Sequence, residues 1–341
     1  LESDEICVCE AWESYSAEAT GDCDDASSDV NPGAEEICDN GVDDDCDESP
    51  SGCERTGDLL ASESDLRIWG GSQGDLLGNS VAGAGDIDGD GLDDLLIGAP
   101  AGDLGGGAAG QVYLISGVQT GIIDLGKSDH KVIHGSAAAD YLGWTVEGLG
   151  DVDGDGYGDL LLGALFESSA DYRAGAVYVV HGPHADLSDV GDVGVRYTGE
   201  AEEDYSSSAI ASAGDVDGDG HVDILVGAYR ESSVASTSGA VYLIPGPHES
   251  SQSMASAGFK ITGLAAGDRA GFAVTGLGDT DGDGLDDFAI AAERQDDGET
   301  NAGTIYVFAG GVSSDLLVSD SSARFTGVEN SQNAGYSLSG A

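Results

Sequence analysis

From about residue 59 the chain alternates short apolar runs with turns rich in glycine, aspartate and serine. The first unit enters a turn through SVAGAGD, leaves it through DLLIGAP, continues through GQVYLISG and ends at KVIHG. Apolar runs of about five to seven residues between such turns are typical of β-strands. The chain shows no convincing helical pattern of 10 or more residues. The pattern therefore predicts four strands in each unit.

The unit recurs every 64 or 65 residues, and three markers keep this interval. An aspartate-rich turn begins at Asp86, Asp151, Asp215 and Asp279. A VYLI-like strand carries Tyr113, Tyr178, Tyr242 and Tyr306, and a short strand ends at Gly70, Gly135, Gly199, Gly263 and Gly327. Four strands repeated around an axis form the blades of a β-propeller. We predict an all-β propeller of four full repeats and the start of a fifth, over about residues 59–126, 127–191, 192–255, 256–319 and 320–341.

The charge of the chain excludes several partners. Acidic residues number 65 and basic residues 11, which gives a net charge of −54. Such a chain would repel a nucleic-acid backbone or an anionic membrane surface. No run of 18 apolar residues is present, so we expect no direct membrane insertion. The excess of acid indicates a protein that binds cations.

The first 58 residues have a different composition. They hold 20 acidic residues, one arginine and every cysteine of the chain: Cys7, Cys9, Cys23, Cys38, Cys46 and Cys53. An even number of cysteines in a short, core-poor segment predicts disulfides and a secreted or cell-surface location, although six cysteines allow 15 pairings. Reduced thiols that bind zinc are the alternative, but no CxxC pair is present. We place a domain boundary near residues 58–60.

Each aspartate-rich turn carries carboxylates at positions 1, 3, 5 and 9 and a glycine at position 6. The carboxylates are Asp86, Asp88, Asp90, Asp94; Asp151, Asp153, Asp155, Asp159; Asp215, Asp217, Asp219, Asp223; and Asp279, Asp281, Asp283, Asp287. Several carboxylates with one backbone carbonyl form the oxygen set that Ca²⁺ prefers. The carbonyls are expected from position 7: Leu92, Tyr157, His221 and Leu285. We predict about four calcium ions in the propeller.

Other interpretations of these turns fit less well. An EF-hand needs an acid at position 12, where this chain has Ile97, Leu162, Val226 and Ile290. A calcium-binding β-roll would repeat its motif every nine residues. Mg²⁺ keeps its waters in preference to an all-protein cage. Solvated turns without an ion remain the simplest alternative, but their carboxylates would repel one another.

The units resemble the FG-GAP repeats of the integrin α-subunit propeller and its bacterial relatives. The "FG" glycine corresponds to Gly78, Gly143 and Gly271, with Ser207 in the third unit, and "GAP" is intact at Gly98-Ala99-Pro100. The resemblance covers about residues 59–341 and implies a calcium-stabilised propeller that presents loops to ligands. It also implies seven blades, which would need about 450 residues. The chain is therefore expected to be either part of a longer propeller or completed by self-association.

Residues 22–47 resemble a cysteine-rich metal-binding motif of secreted bacterial proteins, often of myxobacterial type. The resemblance implies one or two further calcium ions, with oxygen ligands from Asp22, Asp24, Asp39, Asp43, Asp45 and Asp47. Solvated acid on a disulfide-linked segment is the alternative. Because residue 1 is leucine and the sole methionine is Met254, we expect that a leader has been removed or that the chain is a fragment.

These features favour an extracellular recognition or adhesion protein that binds protein or glycan ligands through variable loops. The candidate contact residues are Tyr172, Arg173, Tyr229, Arg230 and Arg294. A structural subunit of an extracellular filament, sheath or surface layer is the alternative. An enzyme is not expected, since GxSxG, HExxH and a lone nucleophilic cysteine are absent from the sequence. The histidines of HGPH (181–184) and PGPH (245–248) recur with the repeat, which indicates a turn.

Overall fold

The structure, a computed structural model, describes residues 66–117, 121–127, 130–184, 187–296 and 299–340. The predicted segment 1–58, with its cysteines, its candidate ligands and its boundary, lies outside the described residues. The regular secondary structure of the described part is almost entirely β-strand, as the sequence pattern predicts. None of its helices is long and apolar enough to cross a bilayer.

The elements follow the repeat. In chain order they are β1 (Leu66–Trp69), β2 (Val81–Gly85), β3 (Asp94–Ala99), β4 (Gln111–Ile115), β5 (Gly121–Asp124), β6 (Lys131–His134), β7 (Leu142–Gly150), β8 (Asp159–Ala164), β9 (Ala176–Val180), β10 (Leu187–Asp189), α1 (Val190–Val193), β11 (Gly194–Thr198), β12 (Ala209–Gly214), β13 (Asp223–Ala228), β14 (Ala240–Ile244), β15 (Gln252–Ser253), α2 (Met254–Ala257), β16 (Phe259–Thr262), β17 (Ala270–Gly278), β18 (Asp287–Ala292), β19 (Thr304–Phe308), β20 (Leu316–Leu317), a 3₁₀ turn (Val318–Asp320) and β21 (Ala323–Thr326).

Each repeat forms one antiparallel blade with its strands in chain order. The four blades are β2-β3-β4-β6, β7-β8-β9-β11, β12-β13-β14-β16 and β17-β18-β19-β21. The register keeps equivalent residues opposite each other, with Ile97 paired to Tyr113 in the first blade and Val226 paired to Tyr242 in the third. The prediction of an all-β fold built from four-stranded blades is confirmed.

A fifth strand, which the sequence pattern does not predict, joins three of the blades. The chain between the third and fourth strands of one repeat pairs in parallel with the fourth strand of the preceding repeat. In this way β10 joins β6, β15 joins β11 and β20 joins β16, and β5 pairs with β1 in the same manner. These pairings cover strand edges that would otherwise be free to pair with other chains.

The apolar core lies between neighbouring blades. The second and third strands are buried on both faces, which explains their continuous apolar sequences such as DLLLGA and AVYVV. One cluster joins Leu96 and Val112 of the first blade to Leu160, Leu162 and Tyr178 of the second. Similar clusters join the second blade to the third and the third to the fourth. The blades are therefore held together by side chains that pack face to face.

Small residues let the first strands of successive blades approach closely. A Cβ atom at Gly148 of β7 would lie 2.4 Å from the carbonyl oxygen of Gly83 in β2. A Cβ atom at Gly276 of β17 would lie 2.5 Å from the carbonyl oxygen of Ser212 in β12. The glycine- and alanine-rich sequences of these strands are thus required by the contact between their backbones.

The antiparallel order gives every blade two functionally different ends. The connections from first to second strand lie at one end, where the third strands also end, and we call it the carboxylate end. The connections from second to third strand, and from the fourth strand to the next blade, lie at the other end, which we call the aromatic end. The predicted metal loops and the predicted ligand-contact loops therefore lie on opposite sides of the molecule.

Candidate metal centres and a candidate ligand-binding face

The four aspartate-rich loops join the first and second strands of the blades at the carboxylate end. Two glycines in each loop have positive φ angles, and in the first loop these angles are +80° at Gly89 and +88° at Gly91. Glycine adopts this left-handed conformation without a steric penalty, so the chain can curl around the carboxylates. Each loop therefore turns its aspartates toward a common centre.

The first aspartate of each loop accepts hydrogen bonds from the backbone of its own loop. Asp86 Oδ1 accepts from the N–H groups of Gly89 (2.7 Å) and Asp90 (3.1 Å), and Oδ2 accepts from Gly91 (2.8 Å). These bonds, above all the one from Gly91, lower the pKa of Asp86. The corresponding glycines donate to Asp151, Asp215 and Asp279 in the other loops. The loop conformation thus favours the ionised form of Asp86.

The aspartates at positions 3 and 5 point into the same loops. Their carboxylate oxygens accept hydrogen bonds from backbone N–H groups two residues further on, as between Asp90 and Leu92 (2.9 Å). Carboxylate oxygens within 4.8 Å of one another form one group in each loop. The groups are Asp86, Asp88, Asp90; Asp151, Asp153, Asp155; Asp215, Asp217, Asp223; and Asp279, Asp281, Asp287.

The aspartate at position 9 begins the second strand and is buried. It accepts one hydrogen bond from the loop and one from the glycine after the third strand, as Asp223 does from Val216 (2.9 Å) and Gly246 (3.0 Å). Burial raises the pKa of Asp223 to about 6, aided by the charges of Asp217 and Asp219 and opposed by both hydrogen bonds. A cation in this loop would relieve the cost of burying that carboxylate.

Two of the side chains at position 7, Tyr157 and Leu285, pack against the preceding loop. A Cβ atom at Gly89 would lie 2.9 Å from the ring of Tyr157, and one at Gly218 would lie 2.8 Å from Leu285. The same two pairs of loops share backbone hydrogen bonds, from Gly158 N–H to the carbonyl of Asp86 and from Asp286 N–H to that of Asp215. The role of Leu92, Tyr157, His221 and Leu285 as carbonyl ligands stays a prediction.

The donor set fits a divalent cation that prefers oxygen. The ion pairs of Arg196, Arg230, Lys260, Arg269 and Arg294 all involve glutamates outside the four loops. The grouped carboxylates of the loops have mainly backbone N–H groups to offset their charge, together with an occasional hydroxyl, such as that of Ser116, and the ring of His181 beside the second loop. Hard divalent cations bind such clusters of carboxylates.

A row of aromatic side chains runs across the blades at the aromatic end. Successive ring centroids from Tyr141 to Phe166, Tyr205, Tyr229, Phe272 and Tyr336 are 4.8, 5.2, 6.2, 5.8 and 5.3 Å apart. We call these six residues the aromatic row. Of the six, sequence analysis identifies Tyr229 alone. The other five belong to different connections or, for Phe272, to the start of β17, and only the fold brings them together.

Arginines lie over the aromatic row. The guanidinium carbon of Arg173 is 4.8 Å from the centroid of Phe166, that of Arg230 is 4.7 Å from Tyr205, and that of Arg269 is 5.4 Å from Tyr229. Among the basic residues that the structure describes, those with their charged groups at this end include Arg173, Arg196, Arg230, Lys260, Arg269 and Arg294. The scarce positive charge of the protein is therefore concentrated at the aromatic end.

Buried acids hold part of this positive charge in place. Lys260 Nζ lies 2.7 Å from Glu200 and 3.0 Å from Glu231, and Arg269 lies 3.0 Å from Glu293. Arg294 pairs with the same Glu293 at 3.2 Å. Of the predicted contact residues, Tyr172 is 51% exposed, while Arg230 is tied to Glu203 at 3.3 Å.

Comparison with known proteins agrees with this architecture. The FG-GAP repeat family matches residues 77–115, 143–180, 208–244 and 270–308, and each match contains one aspartate loop and the first three strands of a blade. Residues 22–49 match a family described as "Putative metal-binding motif". The chain thus carries four FG-GAP repeats and a metal-binding motif, and both features point to divalent-metal binding.

Three integrin α subunits align with the chain. Integrin alpha-PS2 of Drosophila melanogaster is 33% identical over 179 residues, which cover 50% of this chain and 12% of that protein. Integrin alpha pat-2 of Caenorhabditis elegans is 29% identical over 231 residues, 64% of this chain and 18% of that protein. Integrin alpha-5 of Xenopus laevis is 36% identical over 113 residues, which cover 32% of this chain and 10% of that protein. The alignments thus span less than a fifth of these relatives.

Acid pH is expected to stabilise the metal-free protein while it weakens stabilisation by metal. Burial raises the pKa of Asp140, Asp204 and Asp223 to about 6 from an ordinary value of 3.8. The charge of Glu167 further raises the pKa of Asp140, and that of Glu231 further raises the pKa of Asp204. The folded chain therefore holds more protons than the unfolded chain between these pH values, so its stability rises as the pH falls through this window. Metal ligands must be ionised, so metal binding weakens over the same window.

Thermal melts between pH 7.5 and 5, in metal-depleted buffer and in millimolar calcium, test this prediction. The two melting temperatures should converge as the pH falls. Asp204→Asn is the matched control, because it removes one of the three titrating groups and should reduce the pH dependence of the metal-free melts. A gap between the two curves that stays constant down to pH 5 would contradict the prediction.

Proposed function

We propose that the chain is a calcium-stabilised, extracellular recognition or adhesion protein that binds protein or glycan ligands through its aromatic end. A binding role, rather than catalysis, is proposed. The relation to integrin α subunits supports a role in recognition, although the chain matches only a small part of those proteins. The proposal depends chiefly on one observation, the arginine-lined aromatic row on the side opposite the carboxylate loops.

Calcium is proposed as the ion of the four loops. Ca²⁺ accepts six to eight oxygen ligands in flexible geometry, which suits loops that offer several carboxylates and a backbone carbonyl. An ion at the carboxylate end would fix the connection between the first two strands of each blade. It would also hold the position-9 carboxylate at the start of the second strand, which continues to the aromatic end.

The aromatic end has the chemistry of a recognition surface. Aromatic residues and arginine are enriched at protein interfaces, where they contribute much of the binding energy. Aromatic faces also stack on planar or apolar groups, and guanidinium groups bind carboxylates and phosphates through paired hydrogen bonds. The arginines stacked on the aromatic row therefore favour ligands that offer a hydrogen-bond acceptor beside an apolar or sugar face, such as a protein segment or a glycan.

Binding to a glycan array and to a panel of purified extracellular-matrix proteins tests the proposal. Arg173→Glu combined with Arg230→Glu reverses two charges on the aromatic row and should weaken binding to the selected ligand at least tenfold. Lys131→Glu is the matched control, because this lysine begins β6 at the carboxylate end of the first blade. The control should bind as the unaltered protein does.

Other outcomes would contradict the proposal. Equal loss in the control and in the double variant would mean that net charge, and not the aromatic end, determines binding. Absence of any ligand together with calcium-dependent growth of particle size would favour the structural alternative, a subunit of an extracellular filament, sheath or layer. Light scattering at several protein concentrations separates these results.

A further inference from the structure

One residue beside the second aspartate loop distinguishes it from the other three. The residue directly after the third strand of each blade is Ser116, His181, Pro245 or Ala309. In the second blade this histidine faces the loop, with Nδ1 3.6 Å from Asp153 Oδ2 and 3.5 Å from Asp159 Oδ1. Nδ1 is buried and has no hydrogen-bond partner. Together, His181, Asp153 and Asp159 offer ligand atoms within 4.8 Å of one another.

The other ring nitrogen of His181 determines which tautomer is present. Nε2 lies 3.0 Å from the backbone carbonyl oxygen of His248, and a carbonyl only accepts hydrogen bonds, so Nε2 carries the proton. In the neutral ring, Nδ1 then has a free lone pair directed at two carboxylates. The ring of His248 is itself held, by the carbonyl of Val222 and the hydroxyl of Tyr197, both at 3.0 Å. A lone pair among carboxylates is unfavourable unless a proton or a metal ion lies between them.

The spacing and the donor types suit a first-row transition metal. Zn²⁺ binds nitrogen and oxygen at about 2.0–2.1 Å, so two ligands at tetrahedral angles are about 3.4 Å apart. The two Nδ1–oxygen distances, 3.5 and 3.6 Å, are close to this value. Imidazole nitrogen suits zinc and similar ions, whereas calcium takes oxygen ligands. A carbonyl that accepts from the second ring nitrogen, as that of His248 does, is the usual support of a metal-bound histidine.

We propose that the second blade holds a nitrogen–oxygen site for a first-row transition metal such as Zn²⁺, formed by His181, Asp153 and Asp159. A cleft of about 390 Å³, lined in part by Asp153, His181, His221, His248 and Glu249, gives the ion access. The site shares two carboxylates with the second loop, so zinc and calcium compete there. The inference rests on the proposed function only in that the carboxylates of this loop bind metal.

Zinc titration of the calcium-loaded full-length chain, followed by calorimetry, tests this site. The equivalent residue of the fourth blade is Ala309, so the backbone is expected to tolerate His181→Ala. The equivalent residue of the first blade is Ser116, so His181→Ser is a second variant. Both should weaken one equivalent of zinc binding at least tenfold. His134→Ala in the first blade is the matched control and should bind zinc as the unaltered chain does.

Several results would separate this inference from the calcium proposal. Zinc binding that is identical in the unaltered chain and both His181 variants would overturn the inference and leave the calcium loops as proposed. Zinc binding that depends on His181, in a chain that binds no calcium, would support the inference and overturn the calcium proposal. Any zinc held by the N-terminal segment cancels in the comparison. Cobalt absorption spectra of the same proteins report whether a nitrogen ligand is lost.

Discussion

Removal of calcium is expected to destabilise the protein more than any single substitution. An ion that binds only the folded chain stabilises it by about 2.7 kcal/mol when its concentration is 100 times the Kd, so four such sites would contribute about 11 kcal/mol. Such a loss is comparable to the whole stability of an ordinary domain. Thermal melts in millimolar calcium and after chelation should therefore differ by about 20–40 °C or more.

The control for this comparison is magnesium in place of calcium. Because Mg²⁺ gives up its waters reluctantly, it should restore only a small part of the melting temperature. Identical melting temperatures with calcium and with chelator would mean that the four loops are solvated turns without an ion. Equal recovery with magnesium would contradict the choice of calcium while leaving a divalent site in place.

Replacement of Asp287 by alanine is expected to have the second largest effect, with and without calcium. Asp287 is 1% exposed and accepts hydrogen bonds from the N–H groups of Thr280 (2.9 Å) and Gly310 (3.0 Å) and from the hydroxyl of Thr280. Burial alone would raise the pKa of Asp287, but these bonds outweigh burial and lower it. The ionised carboxylate therefore stabilises the folded chain even without metal, and two partly buried N–H groups left unpaired would cost about 2–4 kcal/mol.

Asp281→Ala in the same loop is the matched control for Asp287→Ala. Asp281 is exposed, and its carboxylate accepts one hydrogen bond, from Asp283 N–H at 3.1 Å. Loss of this carboxylate should lower the free energy of unfolding by about 2.7 kcal/mol when calcium is present at 100 times its Kd. In chelator the free energy of unfolding should hardly change. Urea unfolding of both variants under both conditions measures this difference. Equal losses for Asp281→Ala with and without calcium would mean that this carboxylate is not a ligand.

The strands of the propeller could be predicted because their signal is local and repeated. In the second and third strands, runs such as DILVGA and AVYLI are buried on both faces, and only a strand packed between two sheets requires so continuous an apolar sequence. The aspartate loops could be located for a similar reason, since glycine at fixed positions and alternating carboxylates both lie within nine residues. The binding of calcium by these loops stays a prediction.

The fifth strands could not be predicted because their pairing is between repeats. β15 and β20 have two residues each, and they join a neighbouring blade through backbone hydrogen bonds that leave little pattern in the side chains. The short helices α1 and α2 follow β10 and β15 and have four residues each, below the length at which helical periodicity becomes visible.

The site beside the second loop was missed for a different reason. Comparison of HGPH with PGPH draws attention to His184 and His248, and the structure gives both the same partner, the carbonyl at position 8 of the adjoining loop. This agrees with a role in the turn. His181 aligns with serine, proline and alanine in the other repeats, so repetition gives no signal. Only the folded chain shows that its ring faces Asp153 and Asp159.

Native mass spectrometry in calcium tests the central claim most directly. The spectra would compare the unaltered chain with four variants, each lacking the first aspartate of one loop: Asp86→Ala, Asp151→Ala, Asp215→Ala and Asp279→Ala. We predict at least four calcium ions on the unaltered chain and at least one fewer on every variant. The same number of bound calcium ions on all five proteins, or none on any, would contradict calcium binding by the four loops.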